Sequence, residues 1–219
     1  YFDTQAETYS QELRLQSDNS GPLNWMVGGY YRSEDYALAD YSPTAVTGTT
    51  SRLADVPALL TRDTRTYGLF GMVAVDLADG LTISQELRYS EDHISETSTP
   101  AGGTKGIFGE KFTNFLPRTI VEYEISRDHM IYASAAKGNK PGGFNNSAGA
   151  GFSAVPDNLK PFDEETLWNY EAGIKTSWFD RKLTFNASVF YIDWSNIQVG
   201  TSVVVDGRNV GLTTNAGRA

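Results

Sequence analysis

Histidine and carboxylate side chains are the residues of this chain that could bind a metal ion or transfer a proton. His93 lies beside Glu91 and Asp92 and three residues before Glu96. A metal site requires ligands that converge on one point, and a solvated acidic connection fits this stretch better. The run from Asp163 to Glu165 could offer oxygen ligands to calcium, although a solvated strand entry is favoured there too. We therefore predict no metal site and no catalytic residue.

Other reactive groups are missing or lie in the wrong context. The chain has no cysteine, which excludes a disulfide framework and a thiolate nucleophile. The pairs Gly102–Gly103 and Gly142–Gly143 do not lie between a strand and a helix, as a phosphate-binding loop requires. We expect no cofactor and no enzymatic activity. The net charge of −9 argues against a nucleic-acid partner, because phosphate contacts need a basic surface.

The residues best suited to hold a ligand lie in the glycine-rich stretch from Gly138 to Glu165. It combines aromatic rings, amides and a cation in a backbone that glycine allows to bend. Binding residues are most often carried by loops on a rigid scaffold. The alternative is that the glycine and proline residues only shape the loop. The predicted ligand-binding residues are Asn139, Lys140, Phe144, Asn145, Asn146, Phe152 and Asp157.

The elements that must position this stretch are strands, because apolar residues recur with a period of two. From Leu81 to Ser90, the odd positions are apolar apart from Gln85, and the even positions are polar or charged. Successive side chains on a strand point to opposite faces, so this pattern gives one apolar and one polar face. No run approaches the roughly 18 apolar residues of a transmembrane helix. Similar alternation is found in Trp25–Tyr31, Tyr67–Val75, Leu167–Lys175 and Leu183–Tyr191.

The connections between these segments alternate between short and long. This alternation predicts an all-β antiparallel up-and-down meander of about eight strands, with Asn215 opening a ninth. Each strand would have about 9–11 residues, the length that crosses a bilayer at a tilt. Short periplasmic turns and long extracellular loops are typical of outer-membrane barrels. The short links are 18–22, 78–80, 126–129 and 179–181, and the long links are 33–65, 91–113, 138–165 and 195–213.

The distribution of charge predicts that the sheet lies in a membrane. The mean hydropathy is only −0.37, but a barrel with one polar face keeps this average low. A Lys or Arg facing lipid at mid-depth would cost about 2–4 kcal/mol. A soluble β-sandwich also has alternating strands, but its links do not alternate so regularly. We expect Glu86, Arg88, Glu171 and Lys175 to face the lumen, and Leu81, Ile83, Leu87, Tyr170, Ile174, Phe185 and Val189 to face lipid.

Tyrosine residues gather where such a sheet would meet the membrane surfaces. The tyrosine ring is apolar and its hydroxyl is polar, so tyrosine is favoured at both interfaces. Tyr123 and Tyr132 flank the short link at 126–129. We interpret these residues as parts of two aromatic girdles. The tyrosines next to the long links are Tyr67, Tyr89, Tyr170 and Tyr191.

Several motifs, taken in order, resemble the barrel domain of TonB-dependent outer-membrane receptors. The stretch from Tyr132 to Asn145 is similar to a family motif in which a strand runs into a loop through Pro-Gly-Gly-Phe-Asn. The block from Pro161 to Lys175 resembles a family pattern that contains Tyr-Glu-x-Gly-x-Lys. Further matches are Ser10–Leu15, Phe115–Arg118 and Leu183–Asp193, so the resemblance covers nearly the whole chain.

The resemblance implies a larger barrel of about 22 strands with a plugged lumen. Residues 1–219 would form part of that barrel as an open, curved sheet, with the plug and the terminal strands absent from this chain. The family imports scarce solutes, such as siderophore-bound iron, cobalamin or carbohydrate, with energy from the TonB complex. The implied partners are the TonB complex, acting through the plug, together with outer-membrane lipid and a small-molecule or metal-chelate ligand.

Other classes of function remain open at the level of sequence. A passive outer-membrane channel or a small structural barrel of eight strands would have the same alternation. Plug-forming residues upstream in the parent gene would favour the receptor. A soluble secreted binding module is a third possibility, and a requirement for detergent would exclude it.

Overall fold

The described part of the chain is built almost wholly from extended strands. The computed structural model describes residues 2–18, 20–41, 57–99, 105–145, 159–205 and 208–219. No helix in these ranges has the length and apolar character needed to cross a membrane. The strands are β1 (Phe2–Gln16), β2 (Leu23–Asp40), β3 (Ala58–Ala78), β4 (Leu81–Thr99), β5 (Gly106–Ser126), β6 (His129–Lys140), β7 (Gly143–Phe144), β8 (Pro161–Phe162), β9 (Glu165–Trp178), β10 (Leu183–Val205) and β11 (Arg208–Arg218).

Nine of these strands form a single antiparallel sheet. Its order is β1-β2-β3-β4-β5-β6-β9-β10-β11, so neighbours in the sheet follow one another along the chain. The two short strands, β7 and β8, pair with each other between β6 and β9. In the described part of the chain, β1 and β11 are the two edges of the sheet and do not pair. The predicted up-and-down meander and its open form are therefore confirmed.

The strands are longer than the sequence pattern predicted. The members of the main sheet have 11 to 23 residues instead of about 9–11. Asp40 still pairs with Ala58, and Leu59 with Thr99, well inside the stretches predicted as long links. The ninth strand begins at Arg208, not at Asn215. At these strand ends apolar residues such as Leu38 and Leu60 also lie on the polar face, so the alternation is lost while main-chain pairing continues.

The short links are tight turns fixed by local chemistry. Asp79 and Gly80 connect β3 to β4, and Gly80 has a φ of 76°. A Cβ at Gly80 would lie 2.4 Å from the carbonyl oxygen of Glu124, so both its conformation and its neighbour require glycine. In the first turn, the hydroxyl of Ser20 donates to Asp18 over 2.8 Å. This bond, with one from the Ser20 N–H, holds the pKa of Asp18 below its usual value.

The register of the sheet gives the facing of every strand. Residues directly opposite each other on paired strands share a face, as do residues two apart on one strand. Glu86 pairs with Arg118, Arg118 with Ala136, and Ala136 with Asn169, which shares its face with Glu171. Arg88 lies two residues from Glu86 and Lys175 lies four residues from Glu171, so both share this face. We call this side, with Glu86, Arg88, Glu171 and Lys175, the polar face.

The opposite side collects the predicted apolar set. Ile83 pairs with Val121, which pairs with Ala133; Ala133 then pairs with Ala172, and Ala172 with Val189. A shift of one residue in any of these pairs would exchange the two faces. We call this side the apolar face, and it also carries Leu81, Leu87, Tyr170, Ile174 and Phe185.

A matched pair of arginine substitutions on β4 tests the facing. We expect Ile83→Arg to block assembly of the full-length protein into membranes, because the charge would lie in lipid at a cost of about 2–4 kcal/mol. Ser84→Arg, one residue further on and on the polar face, should assemble normally. The yield of the heat-modifiable barrel on a denaturing gel measures assembly. Equal yields for the two variants would contradict the assigned faces.

Candidate functional site

The exposure of the two faces is the reverse of that in a water-soluble protein. On the apolar face, Leu13, Leu69 and Val189 are 74, 65 and 73% exposed. On the polar face, Glu96 is fully buried and Asn114 is 2% exposed. Soluble proteins seldom expose contiguous apolar surface. The apolar face therefore requires an apolar surrounding.

The polar face is crossed by charged and hydroxyl pairs between strands. Arg62 binds the buried carboxylate of Glu96, with Nη2 and Nε at 2.6 and 2.7 Å from Oε2. Four residues further along β3, the hydroxyl of Thr66 donates to Asp92 over 2.7 Å. These contacts supply partners for groups that the sheet withdraws from solvent. Among the residues that the structure describes, Oε1 of Glu96 has no hydrogen-bond partner.

The four residues predicted to face the lumen all make contacts on the polar face. Glu86 lies 3.5 Å from Nη1 of Arg118. Glu171 accepts a hydrogen bond from the hydroxyl of Tyr132. Lys175 places its Nζ 5.2 Å from the centre of the Tyr132 ring, on the same side of the sheet. Arg88 makes its contact with Tyr30, whose ring centre is 5.9 Å from the guanidinium carbon.

Aromatic rings on the apolar face form continuous rows across several strands. Tyr9, Tyr31, Tyr67 and His93 contact one another in turn, with ring centres 6.3, 5.3 and 5.8 Å apart. Tyr67 lies in the middle of β3 and not at its end, because the strand continues beyond the apolar stretch. The residue type and the row arrangement are those of an interfacial girdle.

The girdle interpretation of Tyr132 is wrong. This residue pairs with Glu122 and Gly173, so it lies on the polar face. A Cβ at Gly173 would lie 2.5 Å from the Tyr132 ring, which shows that the ring lies flat over the glycine. Its position near a short turn suggested the interface, but its place in the two-residue alternation decides its face.

A folded segment between β6 and β9 contains the described part of the predicted ligand loop. We call it the strap, and it consists of Pro141–Asn145 and Leu159–Glu164. Its two halves pair as β7 and β8. The ring of Phe144 lies 5.7 Å from that of Phe108, which belongs to the polar face of β5. The strap therefore lies over the polar side of the sheet.

Asn145 fastens the strap to the last hairpin through every polar atom of its side chain. Its Oδ1 accepts the N–H of Thr213 over 2.7 Å, and its Nδ2 donates to the carbonyl of the same residue over 2.7 Å. The second Nδ2 proton goes to the carbonyl of Leu159 at 2.9 Å. The residue is buried, at 9% exposed. Its amide has no proton left to offer a ligand.

Two further amides from β10 and β11 hold the strap in place. Nε2 of Gln198 donates to the carbonyls of Pro141 and Asp163 at 2.9 and 3.1 Å. Asn215 accepts the N–H of Asp163 at 2.7 Å and returns a bond to its carbonyl at 2.9 Å. Sequence reasoning missed both residues as parts of the site, because neither stands in a motif and their partners lie 35 to 57 residues away along the chain.

Gly142 is required by the close packing of the strap. A Cβ at this position would lie 2.4 Å from the carbonyl oxygen of Phe162 and 2.7 Å from the ring of Phe112. Backbone cannot give way at that distance, so a larger residue would lift the strap from the sheet. This observation favours the shaping role of the Pro-Gly-Gly segment that sequence analysis left open.

The predicted ligand residues fall into three groups. Asn139 and Asn145 are engaged within the protein, Asn139 through a 3.2 Å bond from Nδ2 to Glu164. Lys140 is exposed at the end of β6, and Phe144 is half-buried in the strap. Asn146, Phe152 and Asp157 lie outside the described residues.

The possible metal ligands do not converge. Nε2 of His93 lies 2.5 Å from Glu91, whose other oxygen binds Lys111 at 2.7 Å. Glu164 binds Asn139, and Glu165 accepts the main-chain N–H of Gln198. Across the described residues, no group of three or more His, Cys, Asp or Glu side chains is placed to hold a metal ion.

The sheet is an open antiparallel meander. One of its faces is apolar, exposed and carries tyrosine rows, and the other is polar and buries charge. These features together define part of the wall of a transmembrane β-barrel. Comparison with known proteins identifies the family. The sequence model of the family described as TonB-dependent receptor-like β-barrel matches residues 1–219. The chain therefore belongs to this family, and its place is the bacterial outer membrane.

Individual relatives agree with this assignment. The metal-pseudopaline receptor CntO of Pseudomonas aeruginosa is 26% identical over 167 residues, which are 72% of this chain and 22% of that protein. The ferric yersiniabactin uptake receptor FyuA of Yersinia pestis is 20% identical, with a TM-score of 0.74, over 99% of this chain and 31% of that one. The siderophore receptor PiuA of Acinetobacter baumannii is 15% identical, with a TM-score of 0.73, over 99% and 34%. The chain thus spans about a third or less of these relatives.

Removing the amide of Asn145 should release the strap from the last hairpin. Asn145→Ala leaves the main-chain groups of Thr213 and the carbonyl of Leu159 without their partners, at about 1–3 kcal/mol for each buried group. We expect faster hydrogen exchange in peptides covering 159–165 and 208–219 of the full-length protein. Asn139→Ala, which removes a single 3.2 Å bond, is the control. Equal exchange in both variants would show that the clamp is not what holds the strap.

Proposed function

We propose that this protein is an outer-membrane receptor that takes up metal chelates, with energy supplied through the TonB complex. The observation that carries the proposal is the family match over all 219 residues. Three relatives point to the solute class, because they are named as receptors for metal-pseudopaline, ferric yersiniabactin and a siderophore. Among the solutes that the family resemblance implied, this favours a metal chelate over cobalamin or carbohydrate.

The polar face supports the transport part of the proposal. As the lumen wall, it would present Glu86, Arg88, Glu171 and Lys175 to the passing solute, while the apolar face meets lipid. An interior that carries charge is typical of large barrels whose lumen holds water or a plug. We propose lumen-facing positions for these four residues on this basis.

The ligand would first meet the end of the sheet that carries the strap. In a meander every second connection lies at the same end, and the strap is one of the long connections there. Lys140 is exposed and Phe144 offers an aromatic ring, so we propose these two residues as ligand contacts. We assign Asn139 and Asn145 to holding the strap, because their amides are bonded within the protein.

Uptake in cells tests the proposal. We expect a strain that lacks the gene to lose accumulation of radioactive iron, zinc or nickel supplied as a chelate under metal limitation, and the cloned gene to restore it. A panel of catecholate, hydroxamate and carboxylate chelates identifies the solute. Uptake should fall to background when a protonophore collapses the proton gradient or when the TonB gene is deleted.

The same experiment distinguishes a passive channel, which a polar lumen wall would also suit. Chelate entry that persists without the proton gradient, and that rises linearly with concentration, would identify a channel. Saturable uptake that needs both the gradient and the TonB gene is the result we expect. Accumulation that does not change on deletion of the gene would reject both functions.

A further inference from the structure

One row of the polar face holds an aromatic ring flat against the sheet with a cation above it. Gly28 lies opposite Phe70 on the neighbouring strand, and a Cβ at Gly28 would lie 2.4 Å from the end of that ring. The ring therefore covers the glycine. Arg14 lies on β1, opposite Gly28, and its guanidinium carbon is 5.9 Å from the centre of the Phe70 ring. The result is a stack of backbone, ring and guanidinium.

Arg88 also lies near an aromatic ring, that of Tyr30 in the adjoining row. Tyr30 lies opposite Gly68, where a Cβ would be in ordinary contact with the Tyr30 side chain at 3.7 Å. The guanidinium carbon of Arg88 lies 5.9 Å from the Tyr30 ring centre. A ring beside a guanidinium attracts it and limits its movement. Arg14 and Arg88 lie on either side of the Phe70 position in one row of the sheet.

Arg88 differs from the other arginines on the polar face of β1 to β5 in its ion pairing. Four other arginines lie on the polar face of β1 to β5, and each has a carboxylate partner. Among the residues that the structure describes, no carboxylate lies within 4.0 Å of Arg88, and the side chain is exposed. The paired residues are Arg14 with Glu12, Arg32 with Glu34, Arg62 with Glu96 and Arg118 with Glu86.

The carboxylates near Arg88 along its own strand are bonded to other groups. Glu86, two residues away on the polar face, lies beside Arg118, and Asp92, four residues away on the same face, accepts a hydrogen bond from Thr66. Lys175 also lies over a ring, but Glu171 binds that ring and Glu124 lies on the same face two strands away.

We propose that Arg88 is an anion-binding site on the lumen wall, where it holds a carboxylate group of the solute during its passage. The proposal rests on the uptake function given above and names an acidic chelate as the solute class. A guanidinium presents its N–H groups as a planar fork that matches a carboxylate with two parallel hydrogen bonds. The Arg88 side chain is exposed on the polar face, and among the described residues no carboxylate occupies its N–H groups.

A cysteine next to Arg88 can report on an anion bound there. Leu116 lies directly opposite Arg88 on β5, and the chain has no cysteine of its own. We would introduce Leu116→Cys into the purified full-length receptor and measure its reaction rate with an anionic sulfonate thiol reagent. Citrate, a tricarboxylate, is the probe ligand. If Arg88 binds it, millimolar citrate should slow the reaction at least threefold.

Substitutions at Arg88 and at a matched control position decide the assignment. Arg88→Gln should abolish the protection by citrate, and Arg88→Lys, which keeps the charge without the fork, should retain part of it. Arg65→Gln removes the same charge from the apolar face and should leave protection unchanged. Intermediate protection in the lysine variant also shows that the wall is folded.

Two results would overturn the proposal. Citrate that protects the glutamine variant as well as the parent would show that Arg88 does not bind it. If citrate protects neither the parent nor the glutamine variant, another group already binds Arg88 in the full-length protein. Protection without chelate uptake in cells would reject the uptake function alone, and uptake without protection would reject the role of Arg88 alone.

Discussion

The requirement that every main-chain N–H and C=O be bonded within the protein determines the rest of this structure. In hydrocarbon no water can satisfy these groups, and each unpaired one costs several kcal/mol. A strand cannot satisfy them alone, so each strand must pair with a neighbour along its whole crossing. The antiparallel ladder that results has a strict period of two, and the register from β1 to β11 carries that period across nine strands. Ile83 thereby lies on the apolar face and its neighbour Ser84 on the polar face.

Both functional surfaces follow from that alternation. The apolar face exposes leucine and valine and places its tyrosines in rows, because hydrocarbon and the interface solvate them. The polar face concentrates charge, and most of that charge is paired between side chains, as in Arg62 with Glu96. Glycines such as Gly28 let rings lie flat on this face. The strap adds a second layer over the same face, and it depends on side-chain amides because its own ribbon has only two short strands.

The sequence was most informative where one face of a strand meets lipid. Ile83 and Glu86 were assigned to opposite sides from alternation alone, and the register confirms it. Strand ends were predicted poorly, because near them apolar residues such as Leu60 appear on both faces and the pattern vanishes, while Asp40 still pairs with Ala58. The role of Asn145 could not be read from its motif, since its partner Thr213 lies 68 residues away. That bond depends on the fold of the whole sheet, so local sequence carries no sign of it.

The central claim is that one face of this sheet meets lipid and the other an aqueous interior, and spin-label accessibility along β10 tests it directly. Labels would be placed singly at positions 185 to 189 of the full-length protein in bilayers. Collisions with oxygen, which partitions into lipid, would be compared with collisions with a water-soluble nickel chelate. The account predicts high oxygen accessibility at 185, 187 and 189 and higher nickel accessibility at 186 and 188. Accessibility that does not alternate, or that alternates in the opposite phase, would contradict it.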